Sequence, residues 1–189
     1  MTTSRMEAFS DGVIAIIITI MVLELRAPHD TNLAGLRPLV PVFGSYVMSF
    51  IFVGIYWSNH HHLLHVTEHI DGRALWANLH LLFWLSLIPF VTAWMGENNF
   101  AQWPVALYGS VLLLSAIAYT ILVRVLLAAP GNELLASALG SDFKGKISMV
   151  FYVIAIPLAF VRPWLACAIY ILVAASWLIP DRRIERKIS

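Results

Sequence analysis

The chain has few of the residues on which soluble enzymes and secreted domains depend. Only 12% of its 189 residues are charged, and Cys167 is its single cysteine. One cysteine cannot close a disulfide within the chain, so neither stability nor redox chemistry rests on an internal one. The formal net charge of +1 also lacks the strongly basic character that binding to nucleic-acid phosphates requires.

Apolar sequence fills the chain instead. Hydrophobic residues make up 60% of it and the mean hydropathy is +0.79, which predicts an all-α, multi-pass membrane protein. A bilayer core about 30 Å thick requires about 20 apolar residues per helix. Arg162 and Pro163 form a turn signal that divides the last apolar stretch in two. We therefore predict six spans within a single domain, residues 1–189, at 5–26, 38–58, 74–95, 104–127, 146–161 and 163–180.

Basic residues predict the orientation of these spans. Lys and Arg in short loops remain on the cytoplasmic side, and an even number of spans then places both chain ends in the cytoplasm. The longest connection, 128–145, has room for one short helix at 133–139, so we expect no soluble domain and no enzyme activity. The basic residues predicted to be cytoplasmic are Arg5, Arg73, Arg124, Lys144, Lys146 and those of the tail 181–187.

The first span combines a charged start with an aliphatic face. Ser4 and Glu7 fit a capping box, which predicts that the helix begins near Ser4. Ser10 and Asp11 point away from the aliphatic face. An isoleucine-rich membrane helix produces such a face without any further role, and Thr19 could simply bond to a carbonyl of the preceding turn. On a helix that advances 100° per residue, the stripe comprises Gly12, Ile16, Thr19, Ile20 and Leu23.

Asp11 requires a partner, because a carboxylate near the membrane boundary is costly unless it is paired. The candidates are Arg5 and a histidine at the inner end of the second span. Contact between the carboxylate and interfacial water is the alternative.

Histidines cluster at the end of the second span, between His60 and His69. The spacing places His61, His62 and His65 near one helix face, where they could bind zinc or iron. Only His80 lies on another span, which disfavours a catalytic metal centre. Pairing with carboxylates, or titration in water as a pH sensor, is more consistent with the pattern.

The first span resembles the signature of the transmembrane protein 175 family, the endolysosomal potassium channels and their bacterial relatives. Two further elements extend the resemblance: Trp57, His60 and His61 end the second span, and Asp71-Gly72-Arg73-x-Leu75-Trp76-x-Asn78 begins the third. The signature itself reads Arg5-x-x-x-Phe9-Ser10-Asp11-Gly12-Val13-x-Ala15-Ile16-x-x-Thr19.

The resemblance implies a homotetramer in the plasma membrane of a bacterium, with the first helix of each chain lining a central pore. It implies a potassium-selective channel with an apolar constriction at Ile16, Ile20 and Leu23, and with Thr19 contributing to selectivity. Potassium is then the permeant ion and no cofactor is expected. The polar network implied at the cytoplasmic end comprises Arg5, Phe9, Ser10, Asp11, His60 and His61.

The chain contains no Thr-Val-Gly-Tyr-Gly segment, so rings of backbone carbonyls cannot replace the hydration shell of potassium as in other potassium channels. A narrow isoleucine ring would block ions by dewetting instead. The alternative function is a proton-coupled or other secondary ion transporter, in which Asp11 and the histidines would relay protons.

Overall fold

The computed structural model describes residues 2–29, 31–133, 135 and 143–178, and every regular element in this part of the chain is a helix. The all-α membrane fold predicted from hydropathy is therefore confirmed. In chain order the elements are α1 (Thr3–Leu23), a 3₁₀ helix (Leu33–Leu39), α2 (Val40–His65), α3 (Gly72–Ser86), α4 (Ile88–Glu97), α5 (Gln102–Ala128), α6 (Phe143–Val161) and α7 (Pro163–Leu178).

Each predicted span corresponds to a helical segment. Five segments, Thr3–Leu23, Leu33–His65, Gly72–Glu97, Gln102–Ala128 and Phe143–Val161, are long and apolar enough to cross a membrane. The sixth, α7, has 16 residues and is about 24 Å long, somewhat less than the bilayer core. The predicted short helix at 133–139 and the basic tail at 181–187 lie largely or wholly outside the described residues, so the orientation stays a prediction.

Two spans differ from their predicted form. The third is broken at Leu87 into α3 and α4. Pro89 lies in the first turn of α4. Backbone N–H groups in a first turn have no partner within the helix, so the proline removes no hydrogen bond from α4. The second continues seven residues beyond its predicted end, to His65. Four of the clustered histidines, His60, His61, His62 and His65, therefore lie on a helix that projects past the apolar run, and His69 follows its end.

Helix α5 packs against α3, α4, α6 and α7 and forms the centre of the fold. Its approach to α7 depends on Gly109, because a Cβ there would collide with the hydroxyl of Tyr170. That hydroxyl donates to the carbonyl of Val105 at 3.2 Å. Close contact of these two helices thus requires a residue without a side chain at position 109.

Helix α1 lies mainly against α2, α3 and α4. The α1 residues buried in this contact are Met6, Ser10, Ile14, Ile17 and Met21. This arrangement determines which face of α1 the rest of the chain leaves open.

Candidate functional site

The open face of α1 coincides with the aliphatic stripe. Ile16 is 58% exposed, Ile20 42% and Leu23 77%, and Gly12 and Thr19 are also exposed. The opposite face is buried against the other helices of the same chain. The residues predicted to line a pathway are therefore those that one chain leaves without contacts.

Thr19 is the hydroxyl-bearing residue of this stripe. Its Oγ1 donates to the carbonyl of Ile16 at 2.9 Å, so the bond to the preceding turn anticipated from the sequence is present. Because the proton is used within the helix, the hydroxyl presents its lone pairs outward. A cation that passes this face would meet an oxygen acceptor and no competing donor.

Below the stripe, a buried hydrogen-bonded chain joins α1, α2 and α3. Ser10 donates to the carbonyl of Met6 at 2.8 Å, and Asn78 Nδ2 donates to Ser10 Oγ at 2.9 Å. The Asn78 Oδ1 lies 2.8 Å from His60 Nε2 and can only accept, so His60 carries a proton on Nε2. Ser10 and His60 are thus brought together, as the resemblance implied, but through Asn78.

The outer members of the network pair differently from the prediction. For Asp11 the sequence left open a pairing with Arg5, a pairing with a histidine, or contact with water. Within one chain its carboxylate accepts from the indole of Trp57 at 3.0 Å, a partner that the sequence did not indicate. His61 instead lies 2.7 Å from a carboxylate oxygen of Glu7. Helices α1 and α2 run side by side here, and their packing brings these pairs into register.

The capping box is also wrong. Helix α1 begins at Thr3 with Thr2 at its N-cap, and no side chain caps it. The carboxylate of Glu7 contacts His61 on α2. A partner on another helix replaces the local one.

Arg5 and Phe9 remain outside the network formed within one chain. Both are exposed, Phe9 by 53%, and Arg5 makes no ion pair with the described residues. They lie on the same open face of α1 as the stripe. Any partners they have must therefore come from outside the described part of their own chain, for example from a neighbouring chain.

The histidines at the end of α2 are not arranged as a metal centre among the described residues. The ring of His61 lies 6.0 Å from that of His65 and 5.5 Å from that of His62 between centroids. In the part of the chain that the structure describes, no three His, Cys, Asp or Glu side chains are placed to hold one metal ion. The metalloenzyme interpretation has no site there.

The sequence did not identify Asn132, which fixes the connection between α2 and α3. Its Oδ1 accepts from the backbone N–H groups of Glu68 and His69, and its Nδ2 donates to the carbonyls of His69 and Leu126. The signal available in the sequence is the Pro130-Gly131 turn directly before it. This clamp holds His69 at the end of α5 and away from His61.

Comparison with known proteins identifies the family to which this arrangement belongs. A family model described as "Endosomal/lysosomal potassium channel TMEM175" matches residues 5–89. A potassium channel of Chryseobacterium sp. strain P1-3 is 56% identical over 190 residues, which cover 100% of this chain and 99% of that protein. These relatives are channels and not enzymes, in agreement with the absence of enzyme activity expected from the sequence.

A solved structure extends the comparison to three dimensions. The crystal structure of a lysosomal potassium-selective channel TMEM175 homolog from Chamaesiphon minutus superimposes with a TM-score of 0.82 at 27% identity, covering 94% of this chain and 96% of that one. The human endosomal/lysosomal proton channel TMEM175 is 35% identical over 117 residues, which are 55% of this chain and 23% of the human protein. The relatives that match this chain are therefore named for two different ions.

Proposed function

Because the chain belongs to the transmembrane protein 175 (TMEM175) family of ion channels, we propose that it forms a potassium-selective cation channel whose pore is lined by α1. The observation that carries the proposal is the open stripe of α1. Ile16, Ile20 and Leu23 remain exposed within one chain, whereas the opposite face of the same helix is buried. Such a helix is available to face a shared pathway.

The pathway requires several copies of the chain, and we propose a homotetramer in the plasma membrane of a bacterium. Four α1 helices around one axis would bring four copies of the stripe together. The exposed positions of Arg5 and Phe9 support this assembly, because both lie on the open face of α1 and the described residues of the same chain leave both exposed. A neighbouring copy would supply their contacts.

The constriction would consist of aliphatic rings. Along a helix, Ile16 and Leu23 are about 10 Å apart, which leaves space for rings of Ile16, Ile20 and Leu23. A narrow aliphatic ring excludes water and blocks ions, and a small dilation restores hydration. The gate would therefore open by a change in radius and would not need a moving charge.

Selectivity would depend on the cost of removing water from the ion. Potassium holds its hydration shell less tightly than sodium and would pass an aliphatic ring at lower cost. The Thr19 hydroxyl, with its proton bonded to Ile16, would supply replacement oxygens next to the ring. A pathway of this kind should discriminate less sharply than rings of backbone carbonyls.

The buried network would anchor the pore helix. Ser10, Asn78 and His60 connect α1 to α2 and α3, while Glu7 and Asp11 connect it to α2. All five lie at the end of the bundle where α1 begins. They would hold this end fixed while the stripe adjusts its radius.

The decisive experiment is bilayer recording from purified protein whose mass in detergent has been measured. A tetramer with single-channel steps and a reversal potential that follows the potassium gradient is the expected result. Steps that follow only the proton gradient would favour proton conduction, the function named for the human relative. Tetramers that give no ion flux would refute the channel, and flux at fixed stoichiometry without steps would favour a secondary transporter.

A further inference from the structure

A small cavity lies inside the bundle, apart from the stripe of α1. It has a volume of about 50 Å³, it is bounded by α2, α5, α6 and α7, and no described residue of α1 lines it. Nothing in the proposed conduction pathway uses this space. Its polar lining includes Tyr56 and Asn59 on α2, Thr120 on α5, and Ser148 and Tyr152 on α6.

Two hydroxyls of this lining have no hydrogen-bond partner among the described residues, those of Tyr56 and Tyr152. Tyr152 is only 3% exposed, and its ring packs between Phe52 and Tyr170, with centroid distances of 6.5 and 6.2 Å. Its unpaired oxygen is nevertheless not fully enclosed by protein atoms, so it borders the cavity. A buried hydroxyl without a partner is costly, which indicates a ligand that accepts from it.

Two other groups of the lining can accept hydrogen bonds. The amide nitrogen of Asn59 donates to the carbonyl of Ile55 at 2.8 Å, and the oxygen of the same amide has lone pairs to offer. Thr120 donates to the carbonyl of Ala116 at 2.9 Å, and its hydroxyl oxygen can still accept. A ligand that matches both kinds of group must donate hydrogen bonds as well as accept them.

Size and charge restrict the ligand further. A water molecule occupies about 30 Å³ in the liquid, so the cavity volume corresponds to about two waters, whereas the cavity that binds benzene in another protein has about 150 Å³. All residues that line the cavity are uncharged, so no side chain there would pair with an ion. Water is small enough, is neutral, and both donates and accepts.

We propose that two water molecules occupy this cavity and link α2 to α6. They accept from the hydroxyls of Tyr56 and Tyr152 and donate to the oxygens of Asn59 and Thr120. A bridging water is nearly as favourable in enthalpy as a direct hydrogen bond. Helix α6 packs mainly on α5 and α7, so the waters give it a polar connection to α2. This site does not depend on which ion the channel conducts.

Radiolytic labelling tests the site, because X-rays convert a bound water into a hydroxyl radical that attacks the nearest side chain. The full chain is irradiated in detergent with a radical scavenger in the buffer, and mass spectrometry measures the hydroxylation of each tyrosine. Tyr108 and Tyr170 are internal controls, since both are 0% exposed. The Tyr108 hydroxyl shares a hydrogen bond with Ser49, and that of Tyr170 donates to the carbonyl of Val105. We expect Tyr152 to be hydroxylated severalfold faster than either control.

Two variants and a control relate the labelling to the cavity. Ala116→Leu places a larger side chain in the lining and should abolish the labelling of Tyr152. Ala128→Leu should leave it unchanged, because Ala128 is exposed near the end of α5 and does not line the cavity. Thr120→Val keeps the side-chain shape but removes an acceptor, and should reduce the labelling even if Ala116→Leu fails to fold.

Two results would overturn the proposal. One is hydroxylation of Tyr152 in the unmodified chain no faster than that of Tyr108 and Tyr170. The other is labelling of Tyr152 that stays the same in Ala116→Leu or, where that variant does not fold, in Thr120→Val. Labelling requires no ion flux, so this outcome is separate from the outcome of the bilayer recordings.

Discussion

The side-chain oxygen of Asn78 lies 2.8 Å from Nε2 of His60, and the amide nitrogen of the same residue donates to Ser10. One side chain on α3 therefore satisfies buried groups on both α1 and α2. His60 is 1% exposed and Asn78 2%, so water cannot replace either partner.

Removal of this link should destabilise the fold. Asn78→Ala leaves the His60 imidazole and the Ser10 hydroxyl with one partner fewer in a buried site, which should lower the free energy of unfolding by about 1–3 kcal/mol. Titration of detergent-solubilised protein with dodecyl sulfate measures the change. Asn98→Ala is the control, because Asn98 is exposed and its side chain donates to the carbonyl of Trp94 at the end of its own helix. Equal losses in the two variants would show that the link carries no special stability.

Wetting of the constriction should increase conduction. Ile16→Asn places amides in the apolar ring, so water should enter more readily; single-channel conductance should increase severalfold and potassium-over-sodium selectivity should decrease. Recording in planar bilayers checks both values. Ile171→Asn is the matched control, since Ile171 is 56% exposed on α7 and far from α1 in the sequence. If currents in Ile16→Asn match those of the unmodified channel, Ile16 does not line the pore.

The role of Thr19 can be tested with two conservative substitutions. Thr19→Val keeps the branched shape but loses the oxygen, and should reduce the preference for potassium over sodium. Thr19→Ser keeps a hydroxyl that can donate to the carbonyl of Ile16, and this variant should retain most of the preference for potassium. Reversal potentials under bi-ionic conditions give the permeability ratio of potassium to sodium. Selectivity preserved in Thr19→Val would mean that the aliphatic rings alone discriminate between the ions.

Close packing of α5 and α7 should be sensitive to a single methyl group. Gly109→Ala forces the added Cβ against the Tyr170 hydroxyl and should lower the free energy of unfolding by about 1–3 kcal/mol. Gly54→Ala is the control, because no atom lies within 4 Å of its added Cβ, and it should be neutral or stabilising.

A double variant identifies the colliding atom. Tyr170→Phe removes the hydroxyl, so it should recover part of the stability lost in Gly109→Ala. Dodecyl sulfate titration of the single and double variants gives the coupling between the two sites. If the losses of stability in the two single variants simply add in the double variant, the strain does not come from contact between the added Cβ and the Tyr170 hydroxyl.

Much of the fold could be predicted because hydropathy and helical period are local properties. The spans follow from the length of apolar runs, and the stripe of α1 follows from the 100° step of the helix. Residues predicted to share one face, such as Ile16 and Leu23, are indeed exposed together. The sequence also indicated Arg162 and Pro163 as the division between the last two helices, which the structure confirms.

The pairings at the site could not be predicted in the same way. Glu7 was assigned a local partner in its own first turn, yet it contacts His61, 54 positions away. For Asp11 the sequence left open Arg5, a histidine or water, and within the chain its carboxylate accepts from the indole of Trp57. Which side chains meet across two helices depends on their relative depth and rotation, and these are set by packing along the whole contact.

The sequence by itself thus determined the membrane class, the approximate positions of the apolar spans and the face that α1 leaves open. Only the tertiary structure decided that Asn78 links Ser10 to His60, and that Asp11 accepts from the indole of Trp57. The physical reason is the distance along the chain over which each kind of interaction acts. Apolar runs and turns act between neighbours in the chain, whereas buried polar groups find partners only after the helices have docked.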